Sequence, residues 1–100
     1  MMQSSFLDDY RLFVRQSNAH YDTLGYLGEA LELIAEAGEV MELFQKHHRR
    51  TQQLDSRRLK DELSDVLWAV TALADKLGCS LEDVARYNQE KLTKRQAERG

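Results

Sequence analysis

Proline is absent from this chain of 100 residues, and only five glycines occur. Helix breakers are therefore scarce, and with leucine, alanine, glutamate and arginine dominant the local preference is helical along nearly the whole length. An all-α domain is expected: a bundle of about four helices around a central antiparallel hairpin, completed by oligomerisation. One cysteine, Cys79, excludes an internal disulfide, and three scattered histidines supply no imidazole or thiolate metal set. Both point to a reducing, cytoplasmic compartment. The formal net charge of −3 excludes a global pull toward nucleic acid or anionic membrane. The start, MMQSSFLDDY, has no basic region before an apolar run, and no segment reaches the roughly eighteen apolar residues of a membrane span. What remains is a small-molecule or protein partner, with no nucleic acid and no membrane. Residues 1–100 are read as one domain.

The helices can be placed from caps and periodicity. Phe6, Tyr10 and Phe13 share a face in SSFLDDYRLFVRQS, with Ser4 or Ser5 as cap, so a short packing helix is expected there. A long helix is expected from about Thr23 to Lys46 behind Asp22, followed by HHRRTQQL as a polar connection. Asp55 is placed to cap a third helix that runs to Leu77, with Gly78 beyond its end. Ser80 and Asp83 form a capping-box pattern for a fourth helix, and the tail AERG is expected to fray.

The second helix divides into two arcs at 100° per residue. Leu27, Ala30, Leu31, Leu33, Ile34, Ala37, Gly38, Val40, Met41 and Phe44 fill the wider one, and Glu29, Glu32, Glu36, Glu39 and Glu42 the other. The acidic arc is either a solvated face or the wall of a groove. On the third helix, Leu59, Leu63, Val66, Val70, Leu73, Ala74 and Leu77 make the core face, while Glu62, Asp65, Ala69 and Ala72 follow one line beside it. Alanines on such a line imply close packing or reserved space. Trp68 lies alongside, turned from the apolar centre, and calls for cover from a second subunit or a ligand. On the fourth helix Val84, Asn88, Lys91 and Arg95 recur at spacings of four, three and four, which is either a solvated helix end or a phosphate-holding line.

Helices joined by a short connection pack antiparallel, so Glu36 and Glu39 can face Glu62 and Asp65. Four converging carboxylates repel one another unless protons or cations neutralise them. All-oxygen ligands favour Mg²⁺, with Mn²⁺ as an alternative, over Zn²⁺; a di-iron site would want a Glu-x-x-His pair that is lacking. A phosphate ester or anhydride is the substrate class such a metal serves.

Glu36-Ala-Gly-Glu39 and Glu62-Leu-Ser-Asp65-Val-Leu-Trp68, with twenty-two residues between Glu39 and Glu62, resemble the ExxE…ExxD signature of MazG-like nucleoside triphosphate pyrophosphohydrolases. ALADKLGCSLEDVARYNQEKLTKR is similar to the closing segment of that family, and the likeness spans about Leu24 to Arg95. The resemblance implies an all-α dimer or tetramer that hydrolyses (d)NTP to (d)NMP and pyrophosphate with Mg²⁺, with house-cleaning of non-standard nucleotides among the roles it suggests. By it Glu36, Glu39, Glu62 and Asp65 would be the metal-binding and catalytic residues, and Asn88, Lys91, Arg95 and Trp68 would bind substrate. Many relatives carry a second glutamate just before the first motif residue; here Ala35 stands there, and Glu32 one turn earlier is a substitute or an ordinary exposed acid. The alternative to an enzyme is a non-catalytic helical interaction module on the same scaffold. The basic run at 46 to 50, with Arg57, Arg58 and Lys60, is either a solvated connection or a flap that attracts triphosphate.

Overall fold

The computed structural model describes residues 5–18, 27–50 and 53–99. All regular structure among them is helical: α1 (Phe6–Ser17), α2 (Leu27–Arg50), α3 (Ser56–Lys76) and α4 (Leu81–Arg99). No helix among the described residues is long and apolar enough to cross a membrane.

Three helix starts are set as their sequences require. The Ser5 hydroxyl accepts from the Asp8 amide while the Asp8 carboxylate accepts from the Ser5 amide, a reciprocal cap on α1. Asp55 accepts from the Arg57 and Arg58 amides to start α3. Ser80 and Asp83 repeat the reciprocal arrangement, at 3.0 Å in both directions, at the start of α4. Gly78, with φ of +79°, turns the chain out of α3 in the left-handed region that a side chain disfavours. Asp22 and Thr23, the expected start of α2, lie outside the described residues.

Two boundaries depart from expectation. HHRR is the last turn of α2, not connection, and α4 continues through the tail to Arg99. Residues 47–50 and 97–99 contain neither glycine nor proline, so no local feature stops either helix earlier.

The antiparallel α2–α3 hairpin is the centre of the fold, and α1 packs chiefly on α3. The Val14 side chain of α1 and Ala69, Thr71, Ala72 and Ala74 of α3 are buried where these helices meet. The small residues on the Glu62–Asp65 line thus mark close packing. Phe6 and Phe13 are exposed, contrary to the expected apolar face of α1. Instead Val14 enters the core, and Arg11 Nε, Arg15 Nε and Arg15 Nη2 donate to the Asp75 carboxylate at 2.6, 2.9 and 2.7 Å. The Arg15 hydrogen bond, with Arg11 beside it, holds the Asp75 carboxyl down to about 2 against the opposing effect of burial.

The orientation of α2 is inverted from a simple amphipathic reading. Glu29 is fully buried and Glu32 and Glu36 are half-buried, whereas Leu27, Leu31, Ile34, Met41 and Phe44 are exposed. Within this chain the acidic arc turns partly inward and much of the apolar arc faces outward.

Candidate metal centre

Glu36 and Glu39 are separated by three residues on α2, and Glu62 and Asp65 by three on α3, so each pair occupies one helix face. The hairpin brings the pairs together: one carboxylate oxygen from each of the four residues lies within 4.8 Å of all the others. Glu36 and Glu62 are half-buried; Glu39 and Asp65 are exposed.

The electrostatics record the crowding. Glu62 is pushed up to about 7, first by its hydrogen bond with the Glu39 carboxyl, then by desolvation and by the charges of Glu39, Asp65 and Asp61. Desolvation raises Glu36, reinforced by Glu39, Asp65 and Glu32. Among the described residues, the charges named as acting on these two groups are negative. Glu36 Oε2 and Glu62 Oε2 are moreover buried without a hydrogen-bond partner. Unsatisfied buried carboxylate oxygens are costly unless a proton or a cation meets them. The span fits this: oxygens on opposite sides of an octahedral Mg²⁺ stand about 4.2 Å apart. The four carboxylates can hold a metal ion.

Around this cluster, Trp68 is half-buried, and its Nε1 donates to Ser17 Oγ at 3.1 Å, so α1 supplies part of the cover the indole requires. Ser17 Oγ in turn donates to the Val14 carbonyl at 3.0 Å. Burial and the nearby Asp65 charge raise the Tyr10 hydroxyl, which places this α1 residue at the border of the cluster.

Asn88, Lys91 and Arg95 are not gathered here. They lie on α4, where every residue from Glu82 to Arg99 is exposed. Lys91 Nζ sits 5.9 Å from the centre of the Tyr87 ring one turn away. A shallow recess of about 540 Å³ is framed by α4 side chains alone, including Asn88, Leu92, Arg95 and Arg99, and is the open flank of a helix. At the other end of the hairpin, Lys46, His47, Asp55 and Arg58 border a recess of about 50 Å³, room for little more than water.

Residues 27–100 match the family described as the MazG nucleotide pyrophosphohydrolase domain. The chain belongs to this family. The MazG match begins with α2 and includes both acidic pairs and all of α4. The chain is also 38% identical over 77 residues to the uncharacterized protein YvdC of Bacillus subtilis (strain 168), covering 72% of this chain and 71% of that protein. No solved structure matches.

One network was not foreseen from the sequence. The wholly buried Glu29 receives the Asn18 amide at 2.9 Å and the Lys76 ammonium at 2.8 Å on Oε1. Burial pushes the Glu29 carboxyl up, but the hydrogen bonds from Lys76 and Asn18 outweigh it and leave the group below its ordinary value. Nothing in the helical period distinguishes Glu29 from Glu36, seven residues on along the same line.

Proposed function

We propose that this chain is a divalent-metal-dependent nucleoside triphosphate pyrophosphohydrolase, with residues 1–100 forming one domain that acts in the cytoplasm as a homodimer or homotetramer. The observation that carries the reading is the four-carboxylate cluster with two buried, unpartnered oxygens, in a chain of the MazG family.

In this reading Glu36, Glu39, Glu62 and Asp65 hold Mg²⁺, or Mn²⁺ in its place. A cation bound there neutralises phosphate charge and raises the acidity of water. Glu62, pushed up to about 7 by its neighbours, would give up its proton to let a cation be held there. Asn88, Lys91 and Arg95 contact the phosphates, and Trp68, held by Ser17, borders the nucleoside. A water oxygen forms a bond to the α phosphorus as the bridging bond to the β phosphate breaks. Pyrophosphate leaves, and a cluster carboxylate takes the water proton. The exposure of Glu39 supports it as that acceptor. Non-standard or surplus (d)NTPs are the substrate class, and (d)NMP is the second product.

A pyrophosphate-release screen over common and modified NTPs and dNTPs, with and without Mg²⁺, tests the reading. Release that requires the metal and yields the monophosphate supports it. Absence of release from every nucleotide at micromolar protein contradicts it and favours a non-catalytic module.

A further inference from the structure

The basic residues at the tip of the α2–α3 hairpin take no part in the metal cluster, yet two of them share its wall. In an α-helix, seven residues return to within about 20° of the same direction after a rise of about 10 Å. Lys46 therefore repeats the direction of Glu39 on α2, and Arg58 that of Asp65 on α3, both displaced toward the tip. We propose that Lys46 and Arg58 together seat the terminal phosphate of the substrate, so that a nucleoside triphosphate lies along the hairpin with its pyrophosphate end toward the tip and its nucleoside toward Trp68. The pyrophosphohydrolase reading supplies the identity of that ligand; the placement of the two cations does not depend on it.

Lys46 and Arg58 border the same recess of about 50 Å³, so the two helices present them to one space. The recess is too small to enclose a phosphate, which leaves a phosphate to rest across its rim, where both side chains are exposed. Among the described residues neither cation joins an ion pair. At the opposite end of α3 the cations are committed: Arg11 and Arg15 to Asp75, and Lys76 to Glu29. A polyanion extending from the cluster toward the tip thus reaches positive charge that no carboxylate has already taken. The order along α3 is Arg58, then Glu62 and Asp65, then Trp68. It matches the order of terminal phosphate, metal-held phosphate and nucleoside, and the ten residues from Arg58 to Trp68 rise about 15 Å, the scale of an extended nucleoside triphosphate.

Helix stability does not account for Arg58. It stands third after the Asp55 cap, where a reciprocal cap carries an acid or its amide and where α1 and α4 carry Asp8 and Asp83. The first turn of α3 contains no acid at all, and a cation there opposes the macrodipole. A bound anion gives that placement a use. Lys46 lies near the end of α2, where the dipole favours it, and helical side chains incline toward the helix start, which for Lys46 is toward Glu39 and the cluster. Residues 46–60 carry six lysines and arginines against the single acid Asp55, in a chain whose net charge is −3. The Asp55 carboxylate is itself taken up by the Arg57 and Arg58 amides. The hairpin face therefore runs from acidic to basic, and a metal-bound triphosphate is oriented by both ends of that gradient.

Titration calorimetry of the full chain in Mg²⁺ with inorganic pyrophosphate and tripolyphosphate reads the seat without turnover. The wild-type chain should bind tripolyphosphate at least about tenfold more tightly than pyrophosphate, the scale of one hydrogen bond to a charged group. Lys46→Gln/Arg58→Gln should bind the two about equally, and Arg58→Lys should keep part of the difference, since its charge remains while the paired donors are lost. In turnover the double variant should raise KM for NTPs about tenfold or more with kcat little changed, because the seat lies away from the bond that breaks. Its melting temperature should hold or rise, as both side chains are exposed and glutamine suits the third position after a cap, so loss of the fold would not mimic the effect. A wild-type chain that does not favour tripolyphosphate, or a preference that survives the double substitution, overturns the proposal even where NTP hydrolysis is intact. An inactive wild-type chain whose tripolyphosphate preference depends on Lys46 and Arg58 would contradict the enzymatic reading and leave the phosphate seat supported.

Discussion

The Lys76 ammonium at the end of α3 lies 2.8 Å from Oε1 of Glu29, a side chain with no solvent exposure at the start of α2. Asn18, just beyond α1, donates to the same oxygen. Three helices are thereby fixed to one buried carboxylate. Charge in such a position is tolerated only while it is paired. Lys76→Met should cost about 3–5 kcal/mol of unfolding free energy, the range for stranding one partner of a buried pair. Lys76→Met with Glu29→Met should recover most of that loss. Urea denaturation of the three proteins checks it, and equal loss in single and double variants would show that the pair is not the cause.

The carboxylate cluster gives stability a distinctive pH dependence. Glu62 is raised to about 7 and Glu36 is raised in the same direction, so the folded chain holds these protons more tightly than the unfolded one. Such groups favour the folded state fully below their ordinary values, and that advantage is lost as pH rises through the folded value. Asp75 and Glu29 have the opposite sign, but their stabilisation is lost only as pH falls below the ordinary carboxylate range. In EDTA the melting temperature should therefore be lower at pH 7.5 than at pH 5.5. Millimolar Mg²⁺ should raise it at pH 7.5 and do less at pH 5.5, where protons compete for the same oxygens. A metal-free melting temperature that climbs between these pH values would mean that the cluster is not strained by its own charge.

Ser17 fixes the indole of Trp68 through one hydrogen bond of 3.1 Å. Ser17→Ala removes an interaction of about 0.5–1.5 kcal/mol. If Trp68 borders the nucleoside, KM should rise about two- to tenfold with kcat little changed, and the tryptophan emission should alter. A fall in kcat at constant KM would instead connect α1 with the carboxylates.

Much of this arrangement is legible in the sequence because it is local. Ser5–Asp8, Asp55, Gly78 and Ser80–Asp83 act within a few residues, and their positions mark three helix starts and one end. Glu36, Glu39, Glu62 and Asp65 converge because three-residue spacing and a short hairpin leave few other arrangements. What periodicity does not carry is which side of a helix its neighbours cover. Glu29 and Glu36 fall on one line, yet one is sealed by Lys76 and Asn18 and the other opens on the cluster. Phe6 and Phe13 look like core residues, yet Val14 and the Arg11–Arg15–Asp75 pairing dock α1. Likewise the apolar arc of α2 is legible as apolar, but not as facing out of its own chain.

Glu39→Gln should reduce kcat/KM at least about 100-fold, the scale on which loss of one preorganised electrostatic contact is felt. The fold should be kept or stabilised at neutral pH, since one charge leaves a self-repelling group. Pyrophosphate release and a melting curve on the same preparation check both halves.

Titration of the wild-type chain and of Glu39→Gln/Glu62→Gln with Mn²⁺, followed by the electron paramagnetic resonance signal of the free ion, bears most directly on the cluster itself. The wild-type chain should remove the free-ion signal up to a stoichiometric end point, and the double variant should leave it nearly undiminished. Equal uptake by both proteins, or none by either, would contradict the assignment of these carboxylates as the metal site.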